Sequence, residues 1–224
     1  MTRLFSYVLR YDCGAAPNPF WGTCTLAICK PAIRRKAEVG NWVVGTGSMN
    51  SPIGNVSGRL VYAMKVTNKM TLKEYDHFCR QYLPEKIPNW FNGSFEERVG
   101  DCIYDYSNGQ TPELRPSVHT ELNLELDLSG EFVLLSEGFY YFGNNPIPLV
   151  EDLAPIVKTN QGHKTVESTA LIESFESWIC RFPRNQLNGQ PQLKEELTAG
   201  LDVRSQCSYN DYEEDESSSE EVVC

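Results

Sequence analysis

Trp42, Thr46, Ser48 and Tyr62 lie in one stretch, 39–66 (VGNWVVGTGSMNSPIGNVSGRLVYAMKV), that joins two strand-like runs through a loop of small polar residues. Glycines in such a loop let the backbone approach a ligand closely, and the neighbouring hydroxyls supply donors and acceptors. The stretch therefore reads as one wall of a binding site, and equally as an ordinary hairpin with a glycine-softened loop. Trp21, in the loop NPFWGT, either caps the core or stacks on a planar ligand. Two basic groups could hold an anion. Lys30, Arg34, Arg35 and Lys36 flank a Pro31-initiated turn, where they also fit a solvated helix face, and His163 and Lys164 lie just ahead of a helix. For His163 a simple loop position is an equal alternative.

The familiar catalytic signatures are missing. The chain has no GKS/T phosphate loop, no HExxH and no GxSxG. Gly45-Thr46-Gly47 lacks the third glycine of a dinucleotide fingerprint, and Asn50-Ser51-Pro52 is a poor helix start. The eight cysteines are irregularly spaced with no CxxC pair, so a structural zinc is not expected, and most read as buried small hydrophobes. A cysteine nucleophile needs a base, and the sequence identifies none for Cys13 or Cys24. The three histidines are scattered, and no catalytic residue, metal ligand or cofactor is assigned.

The elements that must position these residues follow from periodicity and caps. Residues 4–10 alternate as a strand, suited to a central position, and 23–28 form a short apolar stretch. In 59–66, Leu60, Tyr62, Met64 and Val66 share one face at period two, with Arg59 and Lys65 on the other. Thr71-Leu72-Lys73-Glu74 fits a capping box for a helix that Pro84 stops, with His77 exposed or structural within it. Residues 84–118 read as a long irregular insert holding Trp90, Phe91, Tyr104 and Tyr106, either functional or simply pinned down by its aromatics. The run ELNLELDL at 121–128 alternates without a fault and predicts a half-buried strand; 132–142 predicts a second, kinked at Glu137-Gly138, with Tyr140 and Tyr141 on opposite faces. A helix with Leu171, Ile172, Phe175, Trp178, Ile179 and Phe182 on one face follows.

These elements predict one domain over 1–182, a linker with a short helix over 183–203, and a disordered acidic tail over 204–224. Residues 211–224 hold seven acids and no Lys or Arg, so the net charge of −10 less those seven leaves only −3 on the remainder. That balance argues against a nonspecific DNA coat. No stretch is apolar enough to span a membrane or to form the centre of a signal peptide, and the expected location is the cytoplasm of a bacterial cell or phage-infected host.

Taken together, the focal stretch, APNPFWGTCTLAICKPAIRR, SEGFYYFG and QGHK resemble the nucleotide modification associated domain 2 family of bacteria and phages, across roughly residues 4–182. Where Asn41 stands, the family pattern has an acidic residue before the Trp. The arrangement is also similar to PUA-like and EVE-type domains, which implies an α+β fold: a mixed, strongly curved sheet or small barrel with flanking helices. The resemblance implies binding of a modified DNA base or nucleotide within a DNA modification or phage-defence system, with DNA-modification enzymes as partners. A base pulled out of its stack needs a planar surface and edge-reading polar groups, which Trp42, Thr46, Ser48 and Tyr62 could offer, with Arg59 or the 34–36 cluster on the flanking phosphate. One rival is a nucleotide-modifying transferase or hydrolase using His163, Lys164 and Glu137. Another is a phage protein-interaction or counter-defence factor whose acidic tail mimics nucleic acid.

Overall fold

The alternation in LFSYVL creates two apolar faces, and the strand it forms is flanked on both sides. The structure, a computed structural model, describes residues 2–159 and 162–200. In chain order the strands are β1 (Leu4–Leu9), β2 (Cys24–Leu26), β3 (Trp42–Gly47), β4 (Arg59–Lys65), β5 (Asn68–Thr71), β6 (Tyr104–Asp105), β7 (Glu113–Leu114), β8 (Phe132–Ser136), β9 (Phe139–Tyr141), β10 (Ile147–Pro148) and β11 (His163–Val166). The helices are α1 (Pro31–Lys36), α2 (Leu72–Tyr82), α3 (Phe95–Arg98), α4 (Leu124–Ser129), α5 (Thr169–Ile179) and α6 (Lys194–Thr198). The larger sheet runs β10-β4-β3-β1-β11, with β9 also on β4; a smaller one runs β2-β8-β5, and β6 pairs with β7. β1 is parallel to β3 and antiparallel to β11. The fold is thus mixed α+β, and its sheets are open: among the described residues no barrel closes.

Three cores separate the layers. Phe5, Tyr7, Val43, Tyr62, Met64 and Tyr141 face the smaller sheet, meeting Cys24, Leu26 and Leu134. The opposite face of the larger sheet, through Trp42, Val44, Leu60, Ala63 and Tyr140, packs under Ile172, Phe175, Trp178 and Ile179 of α5. Beyond the smaller sheet, Val133 and Leu135 meet α2, the 84–118 insert and Leu193 and Leu197. Tyr140 and Tyr141 do point to opposite sides, and the chain changes sheets at Glu137-Gly138.

Local signals explain several boundaries. Pro31 starts α1, and Thr71 and Glu74 cap α2 reciprocally. The period-two face expected of 60–66 is interrupted: the β3–β4 register shifts between Gly45 and Thr46, so Leu60 joins the α5 core while Tyr62 and Met64 face the smaller sheet. The strand expected over 121–128 is instead a 3-10 turn (Glu121–Asn123) followed by α4. Its burial is the inverse of the alternation, for Asn123 and Asp127 are buried while Leu122 is 68% exposed. Positions four apart share a helix face, and that face carries these two polar groups inward. Residues 183–193 lie against the body: Asn188 N–H donates to the Tyr141 carbonyl and Leu193 N–H to the Asp12 carbonyl. The acidic segment 204–224 lies outside the described residues.

Candidate functional site: a thiol, imidazole and carboxylate in contact

β2 passes into α1 through a tight turn in which two consecutive non-glycine residues, Cys29 (φ 58°) and Lys30 (φ 42°), have positive φ. Such backbone costs about 1–3 kcal/mol per residue and persists only where its surroundings fix it. Here they do. Cys29 N–H donates to Asp127 Oδ1 (2.8 Å), and Arg34 Nε donates to the Cys29 carbonyl (2.8 Å). The fully buried Arg34 guanidinium also donates to the carbonyls of Ala27, Phe132 and Asp127, lashing the turn to β8 and α4. It lies against Gly130, where a Cβ would meet Arg34 Cζ at 2.2 Å. Only a residue without a side chain fits there.

The turn presents the Cys29 sulfur to His119. Sγ is 3.5 Å from His119 Nε2, and on the other edge of the ring Nδ1 is 2.5 Å from Asp127 Oδ2. Tyr104 Oη donates to the same carboxylate oxygen at 2.9 Å. Burial alone would raise the Asp127 pKa, yet the His119 ring, Arg34 and the Cys29 N–H together hold it below the usual carboxylate value. An ionised Asp127 requires the proton on Nδ1, which leaves Nε2 as acceptor for the thiol. The Tyr104 phenol is pushed up, first by burial and then by Asp127, so it stays a donor. His119 and Asp127 are almost fully enclosed while Cys29 is half-buried, so the thiol is the member nearest solvent.

One ligand atom from each of these three residues falls within 4.8 Å of the others, so a cation is the competing reading. The hydrogen-bond pattern favours a relay of contacts. Sγ meets Nε2 and Oδ2 meets Nδ1, and both Asp127 oxygens already accept from Cys29 N–H, His119 and Tyr104. A metal would have to displace those donors. As built, the set can deprotonate a thiol and stabilise the resulting imidazolium.

Of the residues singled out from sequence, Arg34 braces this site through the Cys29 and Asp127 carbonyls, while the others make their contacts elsewhere. Trp42 is 5% exposed, stacked on Tyr140 (6.4 Å), edge-on to Phe175 (5.3 Å), and its indole N–H donates to Glu176 (2.8 Å). Tyr62 is fully buried and bonds Tyr7 Oη to Oη at 2.9 Å. Thr46 donates to the Tyr7 carbonyl, Ser48 accepts from Asn50 N–H within its turn, and Arg59 reaches the Pro146 carbonyl. The glycines of this loop admit protein atoms: a Cβ on Gly45 would meet the Tyr62 ring at 2.4 Å, and one on Gly47 the Val56 carbonyl at 2.4 Å. Trp21 is 40% exposed at φ 62° in its loop. Asn41 Oδ1 accepts from Glu38 N–H, a role an acidic side chain fills equally well. Lys164 donates to the Pro155 carbonyl, Glu137 is exposed, and His163 sits on β11 opposite Tyr7. Of the basic cluster, Arg34 turns inward, Arg35 donates to the Ser129 carbonyl, and Lys30 places its ammonium 5.2 Å from the Tyr7 ring centroid.

Sequence reasoning missed Cys29, His119, Asp127 and Tyr104. A usable signal existed for one of them: a cysteine between a short apolar strand and a proline-started helix occupies the turn position from which nucleophiles are commonly presented.

The fold and site define an open-sheet α+β protein with an enclosed imidazole–carboxylate pair behind a more accessible thiol. The chain belongs to the nucleotide modification associated domain 2 family, whose model matches residues 1–198. No curated protein and no solved structure matches it.

Proposed function

We propose that the chain is a nucleotide-modifying enzyme of the transferase or hydrolase class, acting on a nucleotide or DNA base through Cys29 as nucleophile. The observation that carries this reading is the pair of successive contacts that joins Cys29 Sγ to His119 Nε2 and His119 Nδ1 to Asp127. His119 Nε2 takes the thiol proton as Sγ bonds to an electrophilic carbon of the substrate. The leaving group departs with that proton, and the group stays on sulfur. Water or an amine then attacks this carbon, His119 takes the attacker's proton, and the Sγ–carbon bond breaks, returning the thiolate and the modified or hydrolysed product. Asp127 orients the ring throughout and is itself fixed by Tyr104 and the Cys29 N–H. Binding of a modified base or nucleotide, expected from the family, becomes the substrate-recognition half of this activity, in the setting of a DNA modification or phage-defence system.

The test is the alkylation rate of Cys29 by iodoacetamide, followed residue by residue by mass spectrometry. His119→Ala in a folded protein is expected to slow Cys29 about tenfold at pH 7, since an unassisted thiol is only a few per cent ionised there. The exposed Cys180 serves as internal control and keeps its rate. An unchanged Cys29 rate would sink the reading.

A further inference from the structure

A second polar group, untouched by the thiol chemistry, lies at the outer edge of the larger sheet. His163 on β11 pairs directly with Tyr7 on β1, and the Lys30 ammonium, one residue on from Cys29, caps the Tyr7 ring at 5.2 Å. The His163 ring is 6.0 Å from that of Phe5, over which the Arg3 guanidinium sits at 5.2 Å, and Arg3 donates to the Lys36 carbonyl. Elements distant in sequence thus place the Lys30 ammonium and the Arg3 guanidinium over Tyr7 and Phe5, the two aromatic residues beside this imidazole. His163 Nδ1 is buried and has no hydrogen-bond partner among the described residues. Burial, followed by the charges of Lys36, Lys158 and Lys30, lowers the His163 pKa to about 4, and no described carboxylate is among the groups acting on it. A neutral ring with an unused nitrogen, inside a group of like charges, matches an anion with several acceptor oxygens.

We propose that Lys30, Lys36, Lys158 and His163 form a phosphate-binding subsite, joined to the Cys29 turn through Lys30, which holds the phosphate of a nucleotide. The proposal rests on the nucleotide reading above and adds where the substrate is anchored. Lys30 is the link, because the strained turn that presents the thiol also directs this ammonium over Tyr7. Lys36 is exposed and Lys158 half-buried, so an incoming phosphate can reach both.

The experiment is calorimetric titration of the full chain with inorganic phosphate, then with a nucleoside and its 5′-monophosphate at two salt concentrations. The monophosphate is expected to bind about tenfold or more tightly than the nucleoside, with the gap shrinking at high salt. Lys36→Ala with Lys158→Ala should close most of that gap and leave nucleoside affinity unchanged; neither side chain is part of a core. Failure of folded wild-type protein to bind either phosphate or the monophosphate, or an unaltered gap in the double variant, would overturn the subsite. Cys29 alkylation on the same samples separates the two readings. His119-dependent alkylation without phosphate binding removes the subsite alone, and phosphate binding with His119-independent alkylation removes the nucleophile alone.

Discussion

Asp127 illustrates how much one side chain can fix. Oδ1 sets the backbone of Cys29 and Oδ2 sets the tautomer of His119, while its own carbonyl accepts from Arg34. Each contact restrains a different part of the site, so a residue that looked like the solvent side of a strand becomes its central acceptor. Trp42 shows the reverse. An aromatic beside a glycine-rich loop fits a ligand wall or a core equally well in sequence, and here both sheet faces are buried, so the ring is surrounded. Trp42→Ala is therefore expected to destabilise the fold by about 3–5 kcal/mol, measured by urea unfolding. A loss below 1 kcal/mol would mean that the ring contributes little packing.

Among the elements, α4 and the 84–118 insert depart furthest from their sequence signals. α4 replaces a strand because residues 123 and 127 find partners inward: Asn123 Oδ1 accepts from Thr120 N–H, and Asp127 is met by three donors. Satisfied polar groups outweigh the apolar alternation of four leucines. The insert is held by Lys86, fully buried, whose ammonium donates to Asn18 Oδ1 (2.6 Å), the Thr23 carbonyl (2.8 Å) and nearby Thr25. Thr25 in turn donates to Asp101, whose other oxygen accepts from Tyr75. Burial lowers the Lys86 pKa and raises that of Asp101, each opposed by the other's charge. Lys86→Met keeps the stem and removes the donors, leaving Asn18 and Asp101 enclosed without it. The expected cost is about 3–5 kcal/mol of unfolding free energy, and hydrogen exchange should show the insert loosening first.

At the scale of the molecule, the C-terminal residues close on the N-terminal ones through Asp12. Its carboxylate accepts from Tyr141 Oη on β9 and from Gly14 N–H, and its carbonyl accepts from Leu193 ahead of α6. Burial raises the Asp12 pKa to about 7, although the Tyr141 and Gly14 hydrogen bonds oppose the shift. The folded value lies above the unfolded one near 4, so the folded protein binds the proton more tightly. Its stabilising contribution is complete below pH 4 and is lost as pH rises toward 7, a change of up to about 4 kcal/mol. Asp12→Asn should flatten that part of the stability profile, as read by urea unfolding at pH 5 and pH 8. A variant with the wild-type slope would assign the slope to other groups.

By itself the sequence determined the family relationship, the mixed α+β class, a first strand paired on both sides though one place from the sheet edge, the capped α2, the proline start of α1 and the apolar face of α5. Each is encoded within a few residues or by a repeating local pattern. Only the tertiary structure brought Cys29 to His119 across 90 positions and turned Asp127 inward to meet both. It also decided that the glycines of 45–47 make room for Tyr62 and Val56. Such assemblies depend on which surfaces pack together, and packing joins residues whose spacing along the chain carries no trace of their contact.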